Sequence, residues 1–257
     1  MGKITAVANQ KGGVGKTTSA INIAASLAAA EKRVLLIDAD PQGNSTSGLG
    51  LDKNSSNGSL YDLYIERKSL DDIIQPTSLE NLKIIPSNIE LIGAELELST
   101  KEGRETILKN AIGPVKSRYD YIFIDCPPSL SLLTLNALVA ADSLLIPMQC
   151  EYYALEGISM LLHTYNLIKD SFNPSLEIEG ILLTMFDGRN SLANQVTDEL
   201  KKHFGDKVYR TVIPRNITLA EAPSHGKPVM LYDIRSKGAQ SYIELAKEII
   251  SNETSAW

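Results

Sequence analysis

Ten residues near the amino end, Asn9-Gln10-Lys11-Gly12-Gly13-Val14-Gly15-Lys16-Thr17-Thr18, constrain the fold of this chain more than any other stretch. They follow a short apolar run, Ile4–Ala8, and open an apolar-periodic one through Ala20, Ile21, Ile23, Ala24 and Leu27. Strand, glycine turn and helix form the setting that a phosphate-binding loop requires. Small residues let the chain curl until successive backbone N–H groups converge. The new helix adds the positive end of its dipole at the same point. Gly12, Gly13, Val14, Gly15 and Thr18 belong to that cradle. Lys16 is spaced to reach the β- and γ-phosphates of a nucleotide such as ATP, and the Thr17 hydroxyl to ligate Mg2+. The usual pattern has glycine where Gln10 stands, and here an additional lysine, Lys11, heads the loop.

Such a loop predicts a sheet with helices around it, and the rest of the chain fits. Strand-like runs are read at Ile4–Ala8, Arg33–Asp38, Leu82–Pro86, Tyr121–Asp125, Ser143–Pro147, Ile178–Met185 and Lys207–Ile213. They are short and almost continuously apolar, as strands covered on both faces are. Helical patterns lie between them at Thr17–Ala30, Ile89–Thr100, Arg104–Lys116, Leu130–Ala140, Leu155–Lys169 and Leu192–Phe204, with a last one from Gly238 to Ile250. The alternation predicts an α/β fold: a single doubly wound, mostly parallel sheet with helices on both faces. One domain is expected over residues 1–250, followed by a disordered tail, Ser251–Trp257. The Gly-, Ser- and Asn-rich stretch Gly43–Gly58 reads as a flexible surface loop. No repeat, linker or amino-terminal helix-turn-helix extension is visible.

Ligands of such sheets sit beyond the carboxyl ends of the strands, and the carboxylates of this chain cluster there. Asp38 closes the run Val34-Leu35-Leu36-Ile37. Asp40 follows two residues later, so the two point the same way in an extended chain. The run Tyr121-Ile122-Phe123-Ile124-Asp125 ends in a carboxylate fit to hold water on Mg2+, and Pro127-Pro128 stiffens the exit from the sheet. Three acids and two lysines around one nucleotide form a coherent set.

Composition narrows the classes. With 257 residues and 43% hydrophobic content the chain can bury a sizeable core. No apolar run approaches a membrane span, and a strand begins within three residues of Met1, so no secretory signal is expected. Cys126 and Cys150 stand far apart with no C-x-x-C, which speaks for two small buried side chains in a reducing compartment. Net charge is −6, yet Asp187–Gln240 carries nine Lys/Arg against six Asp/Glu, so a positive stretch sits in a negative molecule.

The string KGGVGKTT resembles the deviant phosphate loop of the ParA/MinD-type ATPases. The segments VLLIDADPQGNSTSGLG, YDYIFIDCPPSLSLLTLNAL, PMQCEYYALEG, LLTMFDGR and VIPRNITLAEAPSHGKPV extend the likeness along the chain. The last of these, with CEYYALEG, narrows it to the Soj-like chromosome-partitioning group. The resemblance implies an ATP- and Mg2+-dependent hydrolase. Lys11 crosses to the nucleotide of a partner subunit in an ATP-bound homodimer, and Lys16 serves its own nucleotide. Asp40 positions the attacking water, while Thr17, Asp38 and Asp125 attend the metal, the aspartates through water. Met185, Pro214 and Asn216 line the adenine pocket. It further implies non-specific binding of duplex DNA in the ATP state. Release would follow hydrolysis stimulated by a ParB (Spo0J-like) partner in a cytoplasmic, nucleoid-associated cycle.

One position departs from that group. Its members often carry arginine where Thr218 stands, so DNA contact would lean on Arg189, Lys202, Lys227, Arg235, Lys237 and Lys247. Other readings are a MinD-like membrane switch or a scaffold that docks partners in its ATP state. The first needs a basic amphipathic carboxyl-terminal helix, whereas SYIELAKEIISNETSAW sets three glutamates against one lysine. Amidating synthetases share the nucleotide motifs, but no added substrate domain is visible.

Overall fold

The computed structural model describes residues 2–54, 57–65, 68–151 and 154–255. Its elements, in chain order, are β1 (Lys3–Val7), α1 (Lys16–Ala29), β2 (Val34–Asp38), α2 (Asn44–Gly48), α3 (Leu60–Tyr64), α4 (Leu70–Ile73), β3 (Gln75–Pro76), β4 (Leu82–Ile85), α5 (Leu91–Glu97) and α6 (Ile107–Ile112). They continue as β5 (Tyr121–Asp125), α7 (Leu132–Ala140), β6 (Ser143–Gln149), α8 (Ala154–Ser171), β7 (Glu177–Thr184), α9 (Ser191–Phe204), α10 (Thr218–Glu221), α11 (Val229–Tyr232) and α12 (Lys237–Ser255). Seven strands form one sheet in the order β3-β4-β2-β5-β1-β6-β7, parallel except for the antiparallel edge strand β3.

Alternate residues of each strand feed opposite layers. Leu35 and Ile37 of β2 join the core beneath α3 to α9, whereas Val34 and Leu36 join the core beneath α1 and α10 to α12. Helix α1 is buried almost all round, which its sequence KTTSAINIAASLAA allows: alanines keep it thin between the sheet and α12. Ser19 and Tyr242 share a buried hydrogen bond across that seam (3.0 Å). The helix ends at Ala29–Ala30, where Glu31 takes a positive φ of 61° and Lys32 N–H returns to Leu27 O.

The chain leaves β1 toward β2 on one side and leaves β5 toward β6 on the other. The winding therefore reverses between β1 and β5, where a ligand crevice is expected. Register places Asp38, Asp125 and Val7 in one row across β2, β5 and β1, so both carboxylates and the start of the glycine loop lie side by side.

Four local expectations are corrected. Lys207–Ile213 forms no strand. It runs beside β7 with an isolated bridge at Ile181–Val208 and hydrogen bonds from Tyr209 N–H to Ile181 O (3.1 Å) and from Ile213 N–H to Leu183 O (2.9 Å). No continuous ladder forms between them, where the Glu248 carboxylate takes the N–H groups of Arg210 and Thr211 (2.8 and 2.9 Å). Arg104–Lys116 is not one helix but a 3-10 turn followed by α6, ending at Gly113 before Pro114. Gly43–Gly58 contains α2. Helix α12 runs to Ser255 instead of ending at Ile250. Glu253 accepts hydrogen bonds from Lys3 (3.2 Å) and Tyr121 (2.6 Å), which ties its last turns to the sheet. Ala256 and Trp257 lie outside the described residues, as do Tyr152 and Tyr153 of the CEYYALEG segment.

Candidate nucleotide and magnesium site

The glycine loop leaves β1 and is held from the ends of β6 and β7. Asn9 donates through Nδ2 to Pro147 O of β6 (2.8 Å) and accepts Lys11 N–H (3.0 Å), while Thr184 of β7 donates to Val14 O (2.8 Å). Gly13 and Gly15 have φ of 72° and 83°, which side-chain-bearing residues rarely adopt. A Cβ at Gly12 or Gly13 would meet no atom within 4 Å, so the loop faces open space. α1 begins directly behind it at Lys16, aiming its dipole into that space. The two lysines diverge. Lys16 is buried and donates to Lys11 O (3.0 Å). Burial lowers its pKa, against the opposing pull of Asp125 and Asp40. Lys11 reaches outward to the Glu151 carboxylate just past β6, with 41% of its side chain exposed.

Behind the loop the three aspartates converge, and the segment after β2 closes over them. Asp38 and Asp125 are fully buried. Asp38 Oδ2 accepts both the hydroxyl (2.7 Å) and the N–H (2.8 Å) of Thr46, and its Oδ1 accepts Asp40 N–H (3.2 Å). Asp125 Oδ2 accepts the Ser45 hydroxyl (2.8 Å). Asp40 Oδ1 accepts Gln42 N–H (2.9 Å). Burial, more than any neighbour, pushes the carboxyl pKa values of Asp38 and Asp125 upward, and each is raised further by the adjacent acids. Asp125 Oδ1 is buried with no hydrogen-bond partner among the described residues, and Thr17 lies close enough to favour the charged carboxylate.

That orphaned oxygen, two buried acids and a nearby hydroxyl fit Mg2+, which takes one or two carboxylates and completes its octahedron with phosphate and water. No cluster of three His, Cys, Asp or Glu among the described residues is arranged to hold a metal alone. Ser45 and Thr46 were missed by sequence reading. Their Asn/Ser/Thr/Gly surroundings signal a loop, and their partners lie on distant strand ends.

Met185, Pro214 and Asn216 come together. With Gly13, Gly15, Thr18, Thr184 and Tyr242 they line a cleft of about 360 Å3 beside the glycine loop. Met185 has a positive φ of 48°, a strained setting for an unbranched side chain at a strand end. Asn216 Oδ1 is buried without a partner among the described residues. An unpaired acceptor beside apolar walls is suited to a flat base bearing an amino group. Both cysteines are free and buried.

The candidate DNA residues lie on several elements. Arg189 follows the carboxyl end of β7, and its guanidinium is paired with Asp187 (2.8 Å) although 91% of its side chain is exposed. Lys227, Arg235 and Lys237 are exposed between α10 and the first turn of α12. Lys202 and Lys247 lie on later turns of α9 and α12, each paired with a glutamate three residues earlier, Glu199 and Glu244. At 1.5 Å per residue Lys247 stands about 15 Å beyond Lys237 along α12. Thr218 opens α10.

The fold and this site define a P-loop nucleotide-binding α/β protein whose loop carries a second lysine. The family described as "AAA domain" matches residues 2–178. The chain is 58% identical over 252 residues to the sporulation initiation inhibitor protein Soj of Bacillus subtilis (98% of this chain, 100% of that one). It is 53% identical over 254 residues to the chromosome partitioning protein ParA of Myxococcus xanthus (99% and 90%). Among solved structures it resembles cobyrinic acid a,c-diamide synthase from Mycobacterium smegmatis with bound ADP and magnesium. That match has a TM-score of 0.87 at 35% identity, covering 100% of this chain and 97% of that one. The chain belongs to the ParA/MinD-type ATPases, with the Soj and ParA chromosome-partitioning proteins among its relatives.

Proposed function

We propose that this ATPase is an ATP- and Mg2+-dependent partitioning switch. Its ATP state closes as a homodimer and binds duplex DNA without sequence preference, and a ParB-like partner stimulates slow hydrolysis and release. The observation that carries the reading is the divergence of the two loop lysines. Lys16 is buried and folds back onto the loop, donating to Lys11 O, whereas Lys11 reaches out from the same loop toward the molecular surface. A cation placed there can serve a nucleotide held by a facing copy.

In this reading the loop N–H groups and Lys16 bind the phosphates, and Met185, Pro214 and Asn216 hold the base. Thr17, Asp38 and Asp125 would hold Mg2+, which when bound neutralises charge on the phosphate oxygens. Asp40 orients the attacking water. Hydrolysis removes the γ-phosphate that favours the closed state, so the affinity for DNA falls with it. The cycle would run in the cytoplasm on the nucleoid. A membrane role is less supported, because α12 spends its apolar face on the core: Tyr242, Leu245, Ala246 and Ile249 are buried.

The test is binding to duplex DNA of unrelated sequence with ATP or ADP at two salt concentrations, using Asp40→Ala to hold the ATP state. ATP-dependent binding that weakens steeply with salt is expected. Dimerisation without DNA binding in either state would redirect the assignment to a protein-docking or membrane-linked switch.

A further inference from the structure

We propose that Thr46, with Ser45 beside it, is a positioning residue for hydrolysis: the α2 hydroxyls fix the carboxylates on which the magnesium and water geometry depends. This rests on the reading of Asp38, Asp40 and Asp125 given above. Thr46 is fully buried and uses its hydroxyl twice, donating to Asp38 Oδ2 (2.7 Å) and accepting Ser87 N–H just past β4 (2.9 Å). Its own N–H supplies a second bond to the same carboxylate oxygen. Asp38 then accepts Asp40 N–H through its other oxygen, so one threonine sets the carboxylate and, through it, the backbone that carries Asp40. Ser45, equally buried, holds one oxygen of Asp125 and leaves the other free.

The helix presenting these groups is itself wedged. A Cβ at Gly48 would stand 2.6 Å from Ile21 Cδ1 of α1. Gly50, two residues on, meets Gly226 backbone to backbone: a Cβ on Gly226 would lie 2.6 Å from Gly50 Cα. A short polar helix gains little from its own sequence. Its seat against α1 and the Gly226 turn therefore keeps the hydroxyls aimed. Hydrogen bonds to buried carboxylates are among the stronger ones, and losing their direction costs more than losing a methyl contact.

Thr46→Val preserves shape and removes the hydroxyl, whereas Thr46→Ser preserves the hydroxyl and removes the methyl. Thr46→Val is expected to lower kcat for ATP hydrolysis about tenfold or more while ADP affinity without Mg2+, read by calorimetry, stays within about threefold. Thr46→Ser should return kcat to within about threefold of the unmodified protein. An unchanged kcat in Thr46→Val, or Thr46→Ser as slow as Thr46→Val, overturns the proposal. Ser45→Ala keeps it testable if Thr46→Val does not fold. The gain in ADP affinity on adding Mg2+ should shrink several-fold, and an unchanged gain overturns the proposal without any turnover measurement. Absence of ATP hydrolysis by the unmodified protein would instead strike the underlying reading.

Discussion

Asp125 shows how far single residues were legible. An apolar run ending in aspartate announces a strand-end carboxylate, and the structure puts it where that pattern says. Its environment was not readable, because the Ser45 hydroxyl that holds it is 80 residues away in the chain. The same burial makes a testable difference. A carboxyl whose folded pKa is raised holds its proton above the ordinary range near 4, where the unfolded chain releases it. Folded protein then binds more protons than unfolded, and stability declines as pH rises from that range through the folded value. Asp125→Asn, which cannot ionise, should be more stable than the unmodified protein at pH 8 by about 1–3 kcal/mol, with the gap closing at pH 5. Thermal unfolding without nucleotide measures it, and a gap that does not change with pH would refute the buried-charge account.

At the scale of elements, long apolar periods were read well and polar ones poorly. The six parallel strands and α1, α7, α8 and α9 follow their hydrophobic runs to within a few residues. Val208, Tyr209 and Ile213 carried the same signal and are buried, yet they meet β7 through a bridge and two separate backbone hydrogen bonds and form no continuous strand. Periodicity reports burial and cannot see that a glutamate from α12 has taken the backbone donors of Arg210 and Thr211. Helix α2 gave no signal because Asn, Ser and Thr compete with their own backbone and favour loops. Its seat predicts a graded response to two glycine substitutions. Gly226→Ala adds a clash to a φ of 61° and should cost about 2–4 kcal/mol in urea unfolding. Gly103→Ala, at φ 70° with nothing nearer than 3.9 Å, should cost about 1 kcal/mol. Equal losses would show that the Gly50–Gly226 contact contributes nothing.

For the whole molecule, the proposed switch depends on which groups the carboxyl-end face would offer to a second copy. Lys11 is paired with Glu151 in the single subunit, with both side chains nearly half exposed. An exchange of that partner for a phosphate across the interface would cost little, since exposed pairs contribute about 0–1 kcal/mol. Lys11→Ala is accordingly expected to bind ATP with near-normal affinity and to remain a monomer by light scattering. A stable ATP dimer would remove Lys11 from the cross-subunit role. The opposite side of the sheet is closed by its own contacts. Glu253 of α12 is bonded to Lys3 and Tyr121 at the amino ends of β1 and β5. The last helix is thus fastened to the first strand on the side away from the glycine loop, so a label placed on the exposed turns of α12 near Glu253 would leave the loop's face clear.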